Sequence, residues 1–472
     1  MLRCFFLILL MLSGRLFAAD AAQRFDVRAF GGLGDGTADD QPAVLRAAKA
    51  LTEKKGGVLY FPSGVYRCGR QAGMQNAIEF AGVSDVTILF DPGAVLLMDN
   101  LNQNGQGDYG HGIVFRGPCT NISVINAAVK WAKKPSGRSM GDAFRFEGFP
   151  SEERCISNIR LLQCSAELSP QVGAVFMGCS DIYVENFRVT RTYADGLHFN
   201  ACRRVHVAGV TGVETGDDTL SFVTYEDDTA IDAYSGGPGS YARADFGEWN
   251  SVGSTAANIY AKGGGANGVR LAGAMNVAVS DVVVEGKLRA VIADCGKKEG
   301  NKHSWSWLAS RGITISNLTA TGCTSGFYVA NFNQPMTADD KWWRFKIQLS
   351  NLNARDCKDD SVLIADAAGV VVRGVNAENR RIRILHARDC TLDGIVLKNG
   401  EFVIEGQADA SGLQDAPNLG LSVRHLEIDT GYLDIHNCRG VTCEDVRISH
   451  PVGEGLRASH IVGSRLDRIS VE

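Results

Sequence analysis

The sequence predicts an all-β fold: a single-stranded, right-handed parallel β-helix, a solenoid closed at its N-terminus by a capping helix. Three observations predict it. First, a pentapeptide with apolar third and fifth residues recurs, as in Asn76-Ala-Ile-Glu-Phe80, His111-Gly-Ile-Val-Phe115, Asp142-Ala-Phe-Arg-Phe146, Gly173-Ala-Val-Phe-Met177, Asp195-Gly-Leu-His-Phe199, Asp218-Thr-Leu-Ser-Phe222 and Asn267-Gly-Val-Arg-Leu271. Second, the shortest spacings are regular: 22 residues from Gly173 to Asp195 and 23 from Asp195 to Asp218. A fixed self-similar period of this size marks a solenoid. Third, the apolar residues alternate over short runs, the mark of half-buried strands, with almost no helical periodicity. A β-sandwich would explain the short strands but not the regular spacing with recurrent Asn, Asp and Gly. The right hand follows the general chirality of parallel crossovers.

Met1 to Ala22 reads as a signal peptide. Arg3 is its charged start, Cys4–Leu12 its apolar run, and Ala18, Ala19, Ala21 and Ala22 its small-residue cleavage region. The stretch is too short to span a membrane. An exported protein, periplasmic or extracellular, is expected. Residues 23–472 then form one domain, with 25–70 as its N-terminal cap segment. Phe25 to Asp40 leads into an Ala/Leu-rich helix expected near 40–54, N-capped by Asp39 or Asp40. Asp35, Asp39 and Asp40 read as turn and cap residues, with a calcium loop as the alternative. Gly56 to Tyr66 follows. A second pattern usually recurs about nine residues after each pentapeptide, as in Asp85-Val-Thr-Ile, Asn121-Ile-Ser-Val, Asp181-Ile-Tyr-Val and Asn276-Val-Ala-Val. Weaker copies continue nearly to Glu472.

The thirteen cysteines are scattered without a CxxC metal pattern, and buried free thiols are expected ahead of a disulfide framework. Formal charge is −5, so there is no basic footprint for nucleic acid.

The segments Phe25–Asp40 and Gly56–Tyr66 resemble the N-terminus of the pectate-lyase-like β-helix superfamily. That resemblance implies the fold and leaves the reaction open, because one fold hosts many chemistries.

Chemistry concentrates where two neighbouring copies begin with carboxylates. Asp195, Asp217 and Asp218 come from adjacent coils of one column. Carboxylates held close raise one another's proton affinity, so one stays protonated beside ionised partners. Glycoside hydrolysis needs that division of labour. Turn-capping aspartates are the structural alternative. Leu197 and Phe199 point inward, so Asp195 belongs to the turn entering its strand, where alternation breaks.

Here the chain resembles glycoside hydrolase family 28, the polygalacturonases. The Asp of the family's Asn-Thr-Asp motif matches Asp195, and its Gly-Asp-Asp motif matches Gly216-Asp217-Asp218. The resemblance implies Asp217 as general acid, with Asp195 and Asp218 positioning the water of an inverting hydrolysis. Two departures stand out. Asn267 replaces the His of the Gly-His-Gly motif, and Ile292-Ala293-Asp294 replaces Arg-Ile-Lys. Those lost basic groups suit an acidic uronate, so a neutral or differently placed acidic sugar is expected. Arg270 and Arg145 point outward from the same column as compensating contacts or solvated arginines. His198 is a substrate contact, a pKa modulator or a surface residue. The six tryptophans lie between repeats, five of them in the insertions 223–257, 295–311 and 333–345. Trp249 and Trp305 are therefore candidates for stacking on sugar rings, and packing within their own loops is the alternative. The expected partner is an oligo- or polysaccharide. No cofactor and no metal are expected for a hydrolase. A polysaccharide lyase, in which the acidic cluster could hold Ca²⁺, and a non-catalytic glycan-binding β-helix are the other readings. Oligomeric state is not legible.

Overall fold

The computed structural model describes residues 23–69, 76–107, 110–226, 246–297, 306–332, 339–406 and 420–472. The expected signal peptide lies outside them, as do Trp305 and much of the aromatic-bearing insertions. Among the described residues 33 strands join one continuously paired sheet. Its ladders are parallel, except where Gly296–Lys297 meets Ser306–Trp307. No described helix is long and apolar enough to cross a membrane.

The predicted capping helix spans Gln41–Glu53 and buries Val44, Ala47, Ala48 and Leu51 against the first coils. Asp40 is its N-cap residue, but its carboxylate does not cap. It accepts instead from the backbone N–H groups of Leu33 and Gly34, at 2.7 and 3.2 Å. Asp39 accepts from Gly69 N–H at 3.0 Å and Asp35 from Thr37 and Ala38. Backbone donors take up these carboxylates, near and far in sequence; the helix's first N–H, that of Gln41, is met by Asp39 at 3.3 Å rather than by Asp40.

Each pentapeptide becomes one rung of a first strand column. Ile78, Ile113, Phe144, Ala174, Leu197, Leu220 and Val269 are in register across it. Inward residues form a file of rings, Phe80, Phe115, Phe146, Phe176, Phe199 and Phe222. Phe176 corrects the frame expected from sequence, because register sets Ala174 rather than Val175 against Phe144 and Leu197, so that copy begins at Val172 and not Gly173. Successive centroids lie 5.4, 5.4, 4.4, 5.1 and 5.2 Å apart, near the coil spacing itself. One apolar core runs from Phe25 to Ile448.

The second recurring pattern has a cause that the sequence alone did not state. Its first residues, Asp85, Asn121, Asp181 and Asn276, sit at φ of 57°, 56°, 56° and 52°. Each is a left-handed corner near or just before the start of its strand, which Asn and Asp tolerate better than other side chains. Gly196, second in its pentapeptide, has a different reason: a Cβ there would meet the Thr219 carbonyl at 2.6 Å. All twelve cysteines among the described residues are buried free thiols.

Candidate active site

The residue two places before the first inward residue of each rung (Leu197, Leu220, Val269, Val291) enters from the turn and faces outward. Register places Asp195, Asp218, Asn267 and Arg289 one above another at that place. Asp217 joins them from the same turn as Asp218. One oxygen from each of Asp195, Asp217 and Asp218 lies within 4.8 Å of the others. The structure thus brings the three predicted carboxylates together, on the outside of the coil and away from the phenylalanine file.

Their environments differ. Asp195 is 5% exposed. Its Oδ2 accepts from Nδ1 of His198 at 2.5 Å and from the Ser221 hydroxyl at 2.7 Å. Burial opposes its ionisation, but the facing His198 ring and Ser221 outweigh that and hold its carboxyl below the ordinary range. Asp217 is the accessible member, its side chain 34% exposed and bonded to Arg138 at 3.0 Å. Partial burial and the nearby Asp195 charge push its pKa up, against the pull of Arg138. Asp218 is 2% exposed, and burial with the Asp195 charge pushes its pKa well above the usual range. Its Oδ1 accepts from the Asn267 side-chain amide at 2.6 Å and backbone N–H at 3.2 Å. One carboxyl held below the ordinary range therefore stands beside two pushed above it.

Asp195, His198 and Ser221 are the residue types of a nucleophilic serine triad, but the geometry is not one. Ser221 Oγ, at 2.9 Å, meets the same Nδ1 that meets Asp195. No relay through the ring is available. The pair instead buttresses Asp195, and Nε2 of His198 is buried without a hydrogen-bond partner.

The other candidates are placed as follows. Asn267 holds Asp218. Arg270 is clamped by both oxygens of Asp294, at 3.0 and 2.8 Å, and touches the Tyr225 hydroxyl at 3.1 Å. Its guanidinium packs by Trp307, 5.2 Å from the ring centroid, whose Nε1–H also bonds Asp294. The departure from the Arg-Ile-Lys motif is therefore active: Asp294 neutralises Arg270, which carries no spare charge for a uronate. Arg145 sits two coils from His198, locked between Asp142 and Glu147 at 2.5 and 2.6 Å. Trp249 corrects the sequence expectation. It is 6% exposed with Arg203 over its ring at 4.3 Å, so it offers no open face for a sugar. Arg203 begins the strand that follows the turn at the far end of Leu197–Asn200.

Two groups escaped the sequence reading. Arg138 comes from a loop 79 positions away from Asp217. Lys287 is 2% exposed and donates from Nζ to Thr215 Oγ1 at 2.8 Å, the Asp217 carbonyl at 3.1 Å and the Gly263 carbonyl at 3.3 Å. Burial pulls its pKa down to about 8. Its ammonium pins the turn that carries the acids. Neither residue carries a motif or a spacing that could have announced it. A cavity of about 620 Å³ lies elsewhere, lined by Asn186, Arg188, Tyr260 and Asp281 among others, and none of the candidate residues borders it.

A single cation could meet one oxygen from each aspartate. Ca²⁺ needs six to eight oxygens, and here the oxygens already serve His198, Ser221, Arg138 and Asn267 while two carboxyls favour protons. The donor set fits Ca²⁺ poorly.

One stability consequence follows from Asp218. A carboxyl whose folded pKa is raised adds stability below its unfolded pKa, and that stability is lost as pH rises through the folded value. Asp218→Asn keeps the acceptor for Asn267 and removes the ionisation. The thermal midpoint of the variant should therefore overtake the wild type progressively from about pH 4 upward. Parallel melting curves across pH that never diverge would refute a protonated Asp218.

Fold and site together define a parallel β-helix protein with an outward carboxylate triad on its first strand column. No protein-family model matches the chain, and no curated protein matches it in sequence. Among solved structures it is similar to the bacteriophage Phi29 gene product 12 N-terminal fragment, at 13% identity and TM-score 0.56, over 94% of this chain and 71% of that one. It is also similar to a family 28 exopolygalacturonase of Yersinia enterocolitica, at 13% identity and TM-score 0.46, over 94% and 78%. A third is the A-module of the Azotobacter vinelandii mannuronan C-5 epimerase AlgE6, at 13% identity and TM-score 0.41, over 95% and 99%. Likeness at this identity speaks to the fold, and the chemistry has to come from the site.

Proposed function

We propose that this protein is a glycan-active enzyme, a glycoside hydrolase using Asp217 as general acid and Asp195 as the ionised partner. The observation that carries this reading is the asymmetry of the triad. The accessible carboxyl is pushed toward its protonated form and its buttressed neighbour toward its ionised form. Asp217 would protonate the leaving glycosidic oxygen. Asp195, steadied by His198 and Ser221, would meet the anomeric side directly or through water. Asp218, held neutral by Asn267, would orient rather than exchange a proton. Oxygens within 4.8 Å leave less than the roughly 6.5–9.5 Å an inverting pair needs for its water, so the spacing does not carry the inversion expected from sequence.

The test is incubation with a panel of neutral and acidic polysaccharides, reading new reducing ends and, separately, the ultraviolet absorbance of unsaturated uronates. Reducing ends without that absorbance support hydrolysis. Unsaturated products would replace the reading with a lyase, and no cleavage of any glycan would sink both. The Arg270–Asp294 clamp supports a neutral sugar at the scissile position. Rapid release of galacturonate from de-esterified pectin would refute that preference. Met1 to Ala22 supports export, which N-terminal sequencing of the mature protein would check.

The two pKa directions set the pH profile. kcat/KM should rise as Asp195 ionises, below the ordinary carboxylate value of about 4, and fall as Asp217 loses its proton above that value. A bell with its plateau on the acid side of neutrality is expected. A rate still climbing through neutral pH would exclude Asp217 as the acid.

A further inference from the structure

The arginines of the first strand column are paired, with one exception. Arg116 bonds Glu79 and Glu147, Arg145 bonds Asp142 and Glu147, Arg270 bonds Asp294, and Arg383 bonds Asp360. Arg289 has no carboxylate partner among the described residues. It occupies the column place of Asp195, Asp218 and Asn267, in register with Asn267. Its guanidinium lies over the Tyr328 ring, 4.4 Å from the centroid. Its one hydrogen bond there is long, 3.5 Å from Nη1 to Asn267 Oδ1. It is half-buried. The aromatic platform fixes the plane of the guanidinium by cation–π contact and leaves the in-plane N–H fork for a ligand.

We propose that Arg289 is a specificity determinant that receives an anionic group of the glycan, a carboxylate or a sulfate ester, two coils beyond Asp218. This deepens the hydrolase reading and rests on it for the direction in which the glycan lies. Two coil steps amount to about 10 Å. A saccharide laid along the column from the triad would pass Asn267 and reach Arg289 with a sugar beyond the scissile one. A planar fork matches the paired oxygens of a carboxylate or sulfate, and a charge-assisted pair of this kind is stronger than a neutral hydrogen bond. The scissile position itself offers no such cation, because Asp294 occupies Arg270. The substrate class is therefore a heteroglycan: a neutral sugar at the triad and an acidic one farther along.

The test measures binding by the full chain carrying Asp217→Asn, so that no ligand is consumed. The probes are hexasaccharides of homogalacturonan, mannuronan and a sulfated galactan, with neutral galactohexaose and xylohexaose as references. The uronate and sulfate arms separate the two sources of anion. Adding Arg289→Gln should lower the ratio of acidic to neutral affinity about tenfold or more, the scale of a hydrogen bond to a charged group. Arg289→Lys should fall between, and raised salt should shrink the difference. Unchanged thermal midpoints would place the effect in recognition. An unchanged ratio in Arg289→Gln, or no binding of any acidic hexasaccharide, overturns the proposal. Failure of the hydrolase reading looks different: Arg289-dependent binding of acidic glycans that the Asp217-bearing enzyme never cleaves.

Discussion

Asp217→Asn should lower kcat by about 10²–10⁴ on any glycan the wild type cleaves, because it removes the transferable proton while keeping the shape of the side chain. The group is a third exposed and lies outside the core, so cooperative unfolding should survive. Asp195→Asn should be comparably damaging, since it removes the ionised partner while the amide oxygen still accepts from the buried His198 ring. Asp218→Asn should cost least of the three. Burial already pushes that carboxyl well toward its neutral form, and Asn267 keeps its acceptor. Burial beside the Asp195 charge, which raises the Asp218 carboxyl, is the physical reason to separate it from the other two. Activity within a few fold of wild type in both Asp217→Asn and Asp195→Asn would remove the triad as the active site. Loss of activity together with loss of cooperative unfolding would support the turn-capping alternative.

Phe176→Ala should destabilise the fold by about 3–5 kcal/mol, the usual cost of deleting a buried phenyl ring. Its ring is fully buried between Phe146, at 4.4 Å and 3° between planes, and Phe199, at 5.1 Å and 24°. A solenoid is held by nearest-neighbour interfaces, and this one ring serves two of them. Tyr183→Ala is the control: that side chain is 47% exposed, and its loss should fall within roughly 0.5 kcal/mol. Urea denaturation with an unchanged slope would read both. A cost below about 1 kcal/mol for Phe176→Ala would show that the ring file does not set stability. Phe199 and Phe222 continue the same file beneath His198 and Ser221, so the core and the chemistry share two strands.

Local regularity made much of this protein legible in its sequence. The pentapeptide period determined the stacking, because a coil that cannot bury its own apolar face must pair with its neighbours. Alternation placed Leu197 and Phe199 inward and put Asp195 in the turn before them. The capping helix followed from the Ala/Leu-rich run after Asp40. Adjacent copies beginning with Asp195 and Asp218 then implied that carboxylates would meet.

Tertiary structure decided what those carboxylates are. Asp195 is held below the ordinary carboxyl range by His198 and Ser221, while burial and the Asp195 charge push Asp217 and Asp218 above it. Ser221 comes from the next coil, Lys287 lies 72 positions from Thr215, and Arg138 arrives from a distant loop. Sequence spacing within one coil carries no record of such pairings. The same holds for the arginines. Arg145 and Arg270 read alike as outward residues of the repeat, and Arg289 drew no reading at all. Only the stacking of coils shows that Asp142, Glu147 and Asp294 occupy the first two and that Tyr328 carries the third. Trp249 looked available because it stood between repeats, and its burial under Arg203 depends on where that insertion folds back. A repeat fixes which residues share a column; the charge and openness of each place depend on neighbours that the repeat does not specify.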